Sequence, residues 1–320
     1  MPSLAVCIAC FNRRDQTLAC LERLFAQRRP ADMRLVVHLL DDASTDGTGA
    51  AVARAFPDVI IHQGDGHRYW AGGMRIVYGA ALAEGHDFYL WMNDDALLLD
   101  DALWRAFSTL EHLQRTHGGA HVVVGAMRDQ DGATTYGGLA RGSGLKPWRL
   151  RRIEPWPDAP RECDTLHGNF VLVPAAVALK VGNIPRAYRH SLADLDFGFS
   201  SRHAGFRIWV APGHLGVTLA NVVRRRGWLD PGLTLGGRLR SIEHPLGHPF
   251  WPSLFYNFRN FGPSGLLPVL SPYVRLLAAH LRSTWATGRG TARKAPPSSG
   301  LAGDPAPPLE SVTLGADREG

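Results

Sequence analysis

The chain has 320 residues, of which 45% are hydrophobic, and it carries a formal charge of +6. That length and apolar content allow one large domain or two smaller ones with a full core, and they exclude a fibre or a repeat array. The arginines gather in two late stretches, Arg141 to Arg161 and Arg224 to Arg240, without a recognisable nucleic-acid motif; no nucleic-acid partner is expected, and an anionic membrane surface or a phosphate-bearing acceptor fits at least as well.

Leu4 to Cys10 is a short apolar run that reads as a strand, and no basic n-region or cleavage site precedes it, so no signal peptide is expected. Cys7 and Cys10 lie three residues apart within it. In a strand that spacing sends the side chains to opposite faces, which argues against a redox or zinc CxxC pair. Cys20 and Cys163 complete a set of four cysteines, and a reducing cytoplasm is the expected compartment. Asp15 to Arg29 places Leu18, Leu21, Leu24 and Phe25 on one helical face. A strand from Leu35 to Leu40 then runs straight into Asp41-Asp42-Ala43-Ser44-Thr45-Asp46-Gly47. The next helix, Thr45 to Phe56, has Ser44, Thr45 or Asp46 as its cap, and Val59 to His62 is a brief strand.

Met74, Val77, Tyr78, Ala81 and Leu82 recur at the spacing of an amphipathic helix, which leads to a strand from Phe88 to Met92. That strand breaks abruptly into Asn93-Asp94-Asp95. Asp101 to Thr116 is again helical by pattern, and His121 to Ala126 is strand-like. Strands alternating with helices indicate an α/β fold, a mostly parallel central sheet with helices on both faces. Ligands of such sheets bind outside the carboxyl ends of the strands, so the two acidic clusters are expected to line one cleft. Carboxylates are costly to bury without a metal or a partner, so those acids are expected to be exposed at the strand edge and to hold a divalent cation and a phosphate ester.

Alternation weakens after Gly132. Thr134 to Pro160 reads as a long excursion or hairpin over the cleft. Phe170 to Val173 and Phe206 to Val210 form a second apolar set that brackets an acidic turn, Ala193-Asp194-Leu195-Asp196. No window reaches the roughly 18 uninterrupted apolar residues of a spanning helix. Leu266 to Trp285 comes nearest, and its apolar and basic mix suits either a membrane surface or a buried core helix.

Phe11-Asn12-Arg13 after the first strand, the acidic run Asp41 to Thr48, Asn93-Asp94-Asp95, and Ala193 to Gly198, in that order, resemble the family 2 glycosyltransferases of the GT-A fold. Within that family, Tyr69 to Arg75, Leu90 to Asp95 and Gly168 to Pro174 are similar to the bacterial rhamnosyltransferase-like branch. The resemblance runs from about Ser3 to Pro212. It implies a GT-A domain over 1–215, with a nucleotide-sugar half to about 127 and an acceptor half from 128. A helical, membrane-peripheral extension is expected over 216–287 and a disordered tail over 288–320. The implied enzyme is a metal-assisted, inverting hexosyltransferase. Its donor is a nucleoside diphosphate sugar, rhamnose among the sugars, and its acceptor a hydroxyl of a cell-surface glycan or lipid-linked glycan. Its place is the cytoplasm or the inner face of the cell membrane.

By the same resemblance, Asp41 or Asp42 contacts the base and ribose, with Phe11, Asn12 and Arg13 nearby; a carboxylate is a good acceptor for a base N–H or a ribose hydroxyl. The plainer alternative is a turn that caps the next helix, and for Asp46 and Gly47 it is preferred. Asn93-Asp94-Asp95 corresponds to the family's DxD motif, with an amide for the first acid. Asp95 is the implied ligand of Mg²⁺ or Mn²⁺, and Asn93 and Asp94 assist through the ribose or a metal-bound water. A capped strand-to-helix turn is the alternative there. Trp70, Gly72 and Gly73 open a helix whose amino terminus suits a diphosphate or sugar, although Gly-Gly is also ordinary turn chemistry.

Asp194 takes the catalytic-base position, with Ala193 where the family more often has glutamate, and Asp196 is a second candidate that orients the acceptor. Two acids capping a helix from Phe197 to Ala204 are the plainer reading. His214 is a candidate metal ligand without ligand spacing around it. Arg224, Arg225 and Arg226 suit a diphosphate, a lipid phosphate or a solvated face. Two rival functions fit the same fold. A nucleotidyltransferase would want a glycine-rich phosphate loop, which Phe11-Asn12-Arg13-Arg14 does not supply. A non-catalytic sugar-nucleotide or glycan binder would tolerate Asn93 and Ala193.

Overall fold

Every residue from Leu4 to Ile8 is fully buried in the first strand, β1 (Ser3–Cys10), because helices cover both faces of the sheet around it. The structure is a computed structural model that describes residues 1–30, 32–144, 146–218, 227–230 and 232–289, with side chains to 282. After β1 come α1 (Arg14–Phe25), β2 (Arg34–Asp41), α2 (Thr48–Ala55), β3 (Ile60–Gln63), α3 (Tyr69–Glu84), β4 (Phe88–Met92), β5 (Leu97–Leu98), α4 (Ala102–His117) and β6 (His121–Arg128). Then follow β7 (Thr134–Tyr136), β8 (Gly138–Arg141), β9 (Leu150–Arg152), β10 (Arg161–Cys163), β11 (Thr165–Leu166), β12 (Phe170–Pro174), α5 (Ala175–Val181), α6 (Ala193–His203) and β13 (Arg207–Val217). These elements form one compact unit, and α7 (Leu235–Glu243), α8 (Phe250–Phe261) and α9 (Leu266–Arg289) belong to another.

The main sheet runs β10-β13-β6-β12-β4-β1-β2-β3. β1 pairs in parallel with β2 and β4, β2 with β3, and β6 with β13, while β12 is reversed between β4 and β6 and β10 is reversed at the edge. This is the mostly parallel sheet that the alternation of elements predicts. On one face, Leu4, Val6, Ile8 and Cys10 of β1 share a core with Leu21 and Leu24 of α1, Val52 of α2 and Leu103 of α4. Cys7 belongs to the other face, and all four cysteines are buried and unpaired.

The second face is packed by α3. A Cβ on Gly73 would stand 2.6 Å from Leu40 Cδ2 and 2.9 Å from Ala9 Cβ, so the glycine sets how closely the helix approaches β1 and β2. Tyr78 on the same helix meets Trp91 of β4 edge to face at 5.1 Å, and Trp91 meets Phe197 of α6 at 4.5 Å. Such pairs add about 0.5–1.5 kcal/mol each beyond the area they bury.

Four expectations change. The helix after β2 begins at Thr48 rather than Thr45, because the residues before it are held in a loop by side chains described below. Thr134 to Pro160 contains β7, β8 and β9; β7 pairs with β6, and β8 and β9 join β11 in a three-stranded sheet. Ala193 to Asp196 is the first turn of α6 and not a turn ahead of it. The last strand extends through Pro212-Gly213-His214 to Val217, with register shifts on either side of His214.

In the second unit α9 continues through Pro272. Val269 and Leu276 are buried, whereas Leu267, Leu270, Val274 and Leu277 are exposed. Among the described residues no helix is long and apolar enough to cross a membrane. Arg224 to Arg226 lie outside the described residues, as does the tail from 290.

Candidate active site

The registers Cys10 opposite Asp41 and Cys7 opposite Trp91 bring the carboxyl ends of β1, β2 and β4 to one edge of the sheet. Phe11 to Arg13, Asp41-Asp42 and Asn93 to Asp95 therefore leave the sheet side by side.

Arg13 is the hinge of this edge. Its Nη1 donates to Asp94 Oδ1 at 3.2 Å and to Asp95 Oδ2 at 2.9 Å. Asp94 is only 6% exposed, which corrects the expectation of solvent-exposed acids: a guanidinium from the next strand end supplies the partner that burial demands. Burial raises the Asp94 pKa against the pull of Arg13. Asp95 Oδ1 is buried and has no hydrogen-bond partner.

Asn93 is held from two sides. Its Oδ1 accepts from Trp70 Nε1 at 2.8 Å, and its backbone N–H donates to Asn169 O at 3.3 Å. Gly168, beside Asn169, lies under the Trp70 indole; a Cβ there would stand 2.4 Å from Trp70 Cζ2. The Gly168 N–H donates to Asp194 Oδ2 at 3.1 Å, and Asp194 Oδ1 accepts from Leu195 N at 2.9 Å. A continuous chain of contacts thus ties the Asn93-Asp94-Asp95 turn to the head of α6. Burial raises the Asp194 pKa from 3.8 to about 6, opposed by the N–H groups of Gly168 and Leu195. Asp196, one half-turn on, is 1% exposed.

At the β2 end both carboxylates are engaged with backbone. Asp42 Oδ1 accepts from Gly66 N at 2.9 Å, and Oδ2 accepts from Arg68 N at 2.9 Å and Tyr69 N at 3.0 Å, which braces the loop into α3. Asp41 Oδ1 accepts from Ser44 N at 2.9 Å. Asn12, with φ +50°, accepts from Thr45 N at 2.7 Å and donates its own N–H to Ser44 Oγ at 2.9 Å. Gly47 is the N-cap residue of α2, and Asp46 before it accepts from Thr48 N at 3.0 Å and from Arg14 N at 3.0 Å, a turn at the helix start. Phe11 is half-buried beside them.

Trp70, Gly72 and Gly73 fall in the opening turns of α3, where the sequence places them. Gly73 serves helix–sheet packing, and the Gly72 N–H donates to Arg189 O at 3.1 Å. His214 stands apart from the acidic turn in its contacts: Nε2 lies 2.8 Å from Thr134 Oγ1, and its carbonyl accepts from Arg105 Nη2 at 2.8 Å. Sequence reasoning missed the Arg13 ion pairs and the 185–192 segment, whose Pro185 and Tyr188 carbonyls accept from Arg75. Asn169, whose Nδ2 is buried without a partner, lies within the Gly168 to Pro174 motif but has no role of its own in the sequence reading.

Residues 5–169 match the profile described as Glycosyl transferase family 2. Asp194 lies beyond that match. No curated protein sequence matches the chain. Among solved structures, S. aureus TarS 1-349 in complex with UDP is similar at TM-score 0.54 and 14% identity, covering 88% of this chain and 81% of that one. GalNAc-T7 with UDP, GalNAc and Mn²⁺ is similar at 0.53 and 10%, over 88% and 54% of the two chains. The mannosyltransferase PcManGT from Pyrobaculum calidifontis, in complex with GDP-Man and Mn²⁺, has 20% identity over 90% and 79%, at TM-score 0.49. The first two share the fold of this chain, a GT-A sheet with flanking helices.

Proposed function

Because the chain belongs to glycosyl transferase family 2 and is a glycosyltransferase, we propose that it moves a hexose, rhamnose first among the candidates, from a nucleoside diphosphate sugar to a hydroxyl of a cell-surface glycan or glycolipid. The reading is carried by the link from Asn93 through Asn169 and Gly168 to Asp194, which sets a carboxylate of raised pKa beside the acidic turn. The similarity of Tyr69 to Arg75 and Gly168 to Pro174 to the rhamnosyltransferase-like branch supports the choice of sugar.

Asp194 is the base of this reaction. Each of its oxygens accepts one N–H, which leaves a lone pair on each for the acceptor hydroxyl. The hydroxyl proton passes to Asp194 while the hydroxyl oxygen bonds to the anomeric carbon. The bond from that carbon to the diphosphate breaks on the opposite side, so the configuration inverts. A pKa of about 6 leaves the group ionised at neutral pH yet close enough to it to take a proton.

A divalent cation, Mg²⁺ or Mn²⁺, fits the acidic turn, because the donors are carboxylate oxygens and Asp95 Oδ1 is buried without a partner. Asp95 would hold it with Asp94 adjoining, and its chemistry would be neutralisation of the departing diphosphate. Arg13 keeps the two carboxylates together. Base and ribose fall to Phe11, Asn12 and Asp41, and diphosphate or sugar to Trp70 and Gly72 at the head of α3; Asp42 braces the loop into that helix, and Gly73 packs it on the sheet.

The second unit suits the inner face of a membrane. Trp251, Phe255 and Phe258 of α8 and Leu267, Val274 and Leu277 of α9 are exposed. Residues 250–289 contain Arg259, Arg275, Arg282 and Arg289 and no carboxylate. An apolar face beside arginines is what an anionic lipid surface binds.

A thermal-shift and turnover screen of nucleoside diphosphate sugars with Mn²⁺ or Mg²⁺ tests the reaction. One such sugar is expected to stabilise the wild type and turn over. Asp95→Asn is expected to lose the shift, and Asp194→Asn to keep the shift and lose turnover. If no nucleotide sugar shifts the wild type, the reading fails.

A further inference from the structure

The other end of α3 carries a second polar cluster that the glycosyl transfer does not use. Glu84 ends the helix, Gly85 turns the chain at φ +74°, and His86 follows; His38 lies in the middle of β2. Glu84 Oε2 is 3.4 Å from His38 Nε2 and 3.2 Å from His86 Nε2, and the ligand-capable atoms of the three residues lie within 4.8 Å of one another. A tetrahedral cation with metal–nitrogen and metal–oxygen bonds of about 2.0–2.1 Å has ligand–ligand edges of about 3.3–3.4 Å, so two of the three edges already have that length.

The surroundings are those of a ligand set. His62 Nε2 lies 3.2 Å from His38 Nδ1, in the place of the outer partner that fixes the ring and tautomer of a ligating histidine. His38 is 0% exposed, and the polar group that its buried Nε2 faces is Glu84 Oε2 at 3.4 Å. Glu84 is 46% exposed by side chain, which opens a route for an ion and a place for a water as fourth ligand.

We propose that His38, Glu84 and His86 bind a divalent cation of the Zn²⁺ class, pinning β2 to the junction of α3 and β4. Two imidazoles and one carboxylate favour Zn²⁺ over Mg²⁺ or Mn²⁺, which take oxygen ligands. The site is separate from the acidic turn in donor chemistry and in position, since the two lie at opposite ends of one helix. Its role is structural: it joins elements that are distant in sequence and touches none of the groups assigned to the reaction.

The test uses the untagged full chain, stripped with a chelator, in an Asp95→Asn background that silences the acidic turn. Titration with Zn²⁺ by calorimetry and with Co²⁺ by visible absorption is expected to give one equivalent per chain, the d–d bands of a nitrogen-ligated four-coordinate ion, and a Zn²⁺-dependent rise in Tm. Glu84→Gln and His86→Gln are each expected to weaken binding at least tenfold, and His62→Gln about tenfold through the outer contact. Binding of no equivalent, or binding that Glu84→Gln leaves unchanged, overturns the proposal and leaves a proton-sharing histidine–carboxylate network. Glu84 is half exposed, so its variant decides the matter even where His86→Gln fails to fold.

Discussion

Helix α3 separates two polar clusters of opposite character. At its amino end Trp70 holds Asn93, and the donors are carboxylate oxygens neutralised by Arg13. At its carboxyl end, about 24 Å along the axis for its 16 residues, the donors are mostly imidazole nitrogens around Glu84. The first cluster sits where parallel strands end, so its members arrive as runs such as Asn93-Asp94-Asp95. The second sits on the face of the sheet, and its members come from positions 38, 62, 84 and 86. Oxygen-rich and nitrogen-rich sets select different ions, and a chain that keeps them at opposite ends of one helix can separate a reaction from a structural tie.

The largest effect expected is on turnover. Asp194→Asn should lower kcat by about 10²–10⁴-fold, the contribution of a positioned general base, with donor binding preserved in a thermal-shift assay. Asp95→Asn should lower kcat/KM by about a hundredfold or more and abolish the Mg²⁺ or Mn²⁺ requirement, while the Zn²⁺ response at the far end of α3 stays as it was. A variant that lost both responses would merge the two clusters into one.

Asp194→Asn should also stabilise the protein. The folded pKa of about 6 exceeds the ordinary 3.8, so between those values the native state binds more protons than the unfolded state, and stability falls as pH rises. The whole penalty, at most about 3 kcal/mol, is present above pH 6 and absent below pH 4. Denaturation of the Asn variant at pH 7 and pH 4 checks it: the gain should appear at pH 7 and vanish at pH 4.

Smaller effects sharpen the structural side. Gly73→Ala should cost about 1–3 kcal/mol, measured as a lower denaturation midpoint, because its Cβ would overlap Leu40 and Ala9. Trp70→Phe removes the N–H that Asn93 accepts, about 1 kcal/mol, and its several-fold loss should fall on donor use and not on Zn²⁺ binding.

The strands that end at the acidic edge were legible because buried parallel strands read as apolar runs and their ends as polar breaks. Phe88 to Met92 matches β4 residue for residue, and α4 differs from its expected span by one residue at each end. What the sequence did not show was which acids the backbone engages. Asp42 and Asp95 look alike in the chain, yet Asp42 accepts three backbone N–H groups and Asp95 keeps one oxygen without a partner. Gly73 resembled ligand-approach chemistry until its distance to Ala9 showed a packing contact. The first turn of α6 was hidden because its start depends on Leu192 at φ +74°, a backbone state that leucine rarely signals. The histidine cluster was hidden because its members are adjacent only once β2 and β3 are paired and α3 is docked.

Whether Asp194 takes the acceptor proton can be read from the pH dependence of kcat/KM for wild type and Asp194→Asn. The wild-type profile should rise with unit slope and level off near pH 6, and the variant should show a low rate with no break there. A variant that keeps the wild-type rate, or the same break near pH 6, would mean that another group takes the proton.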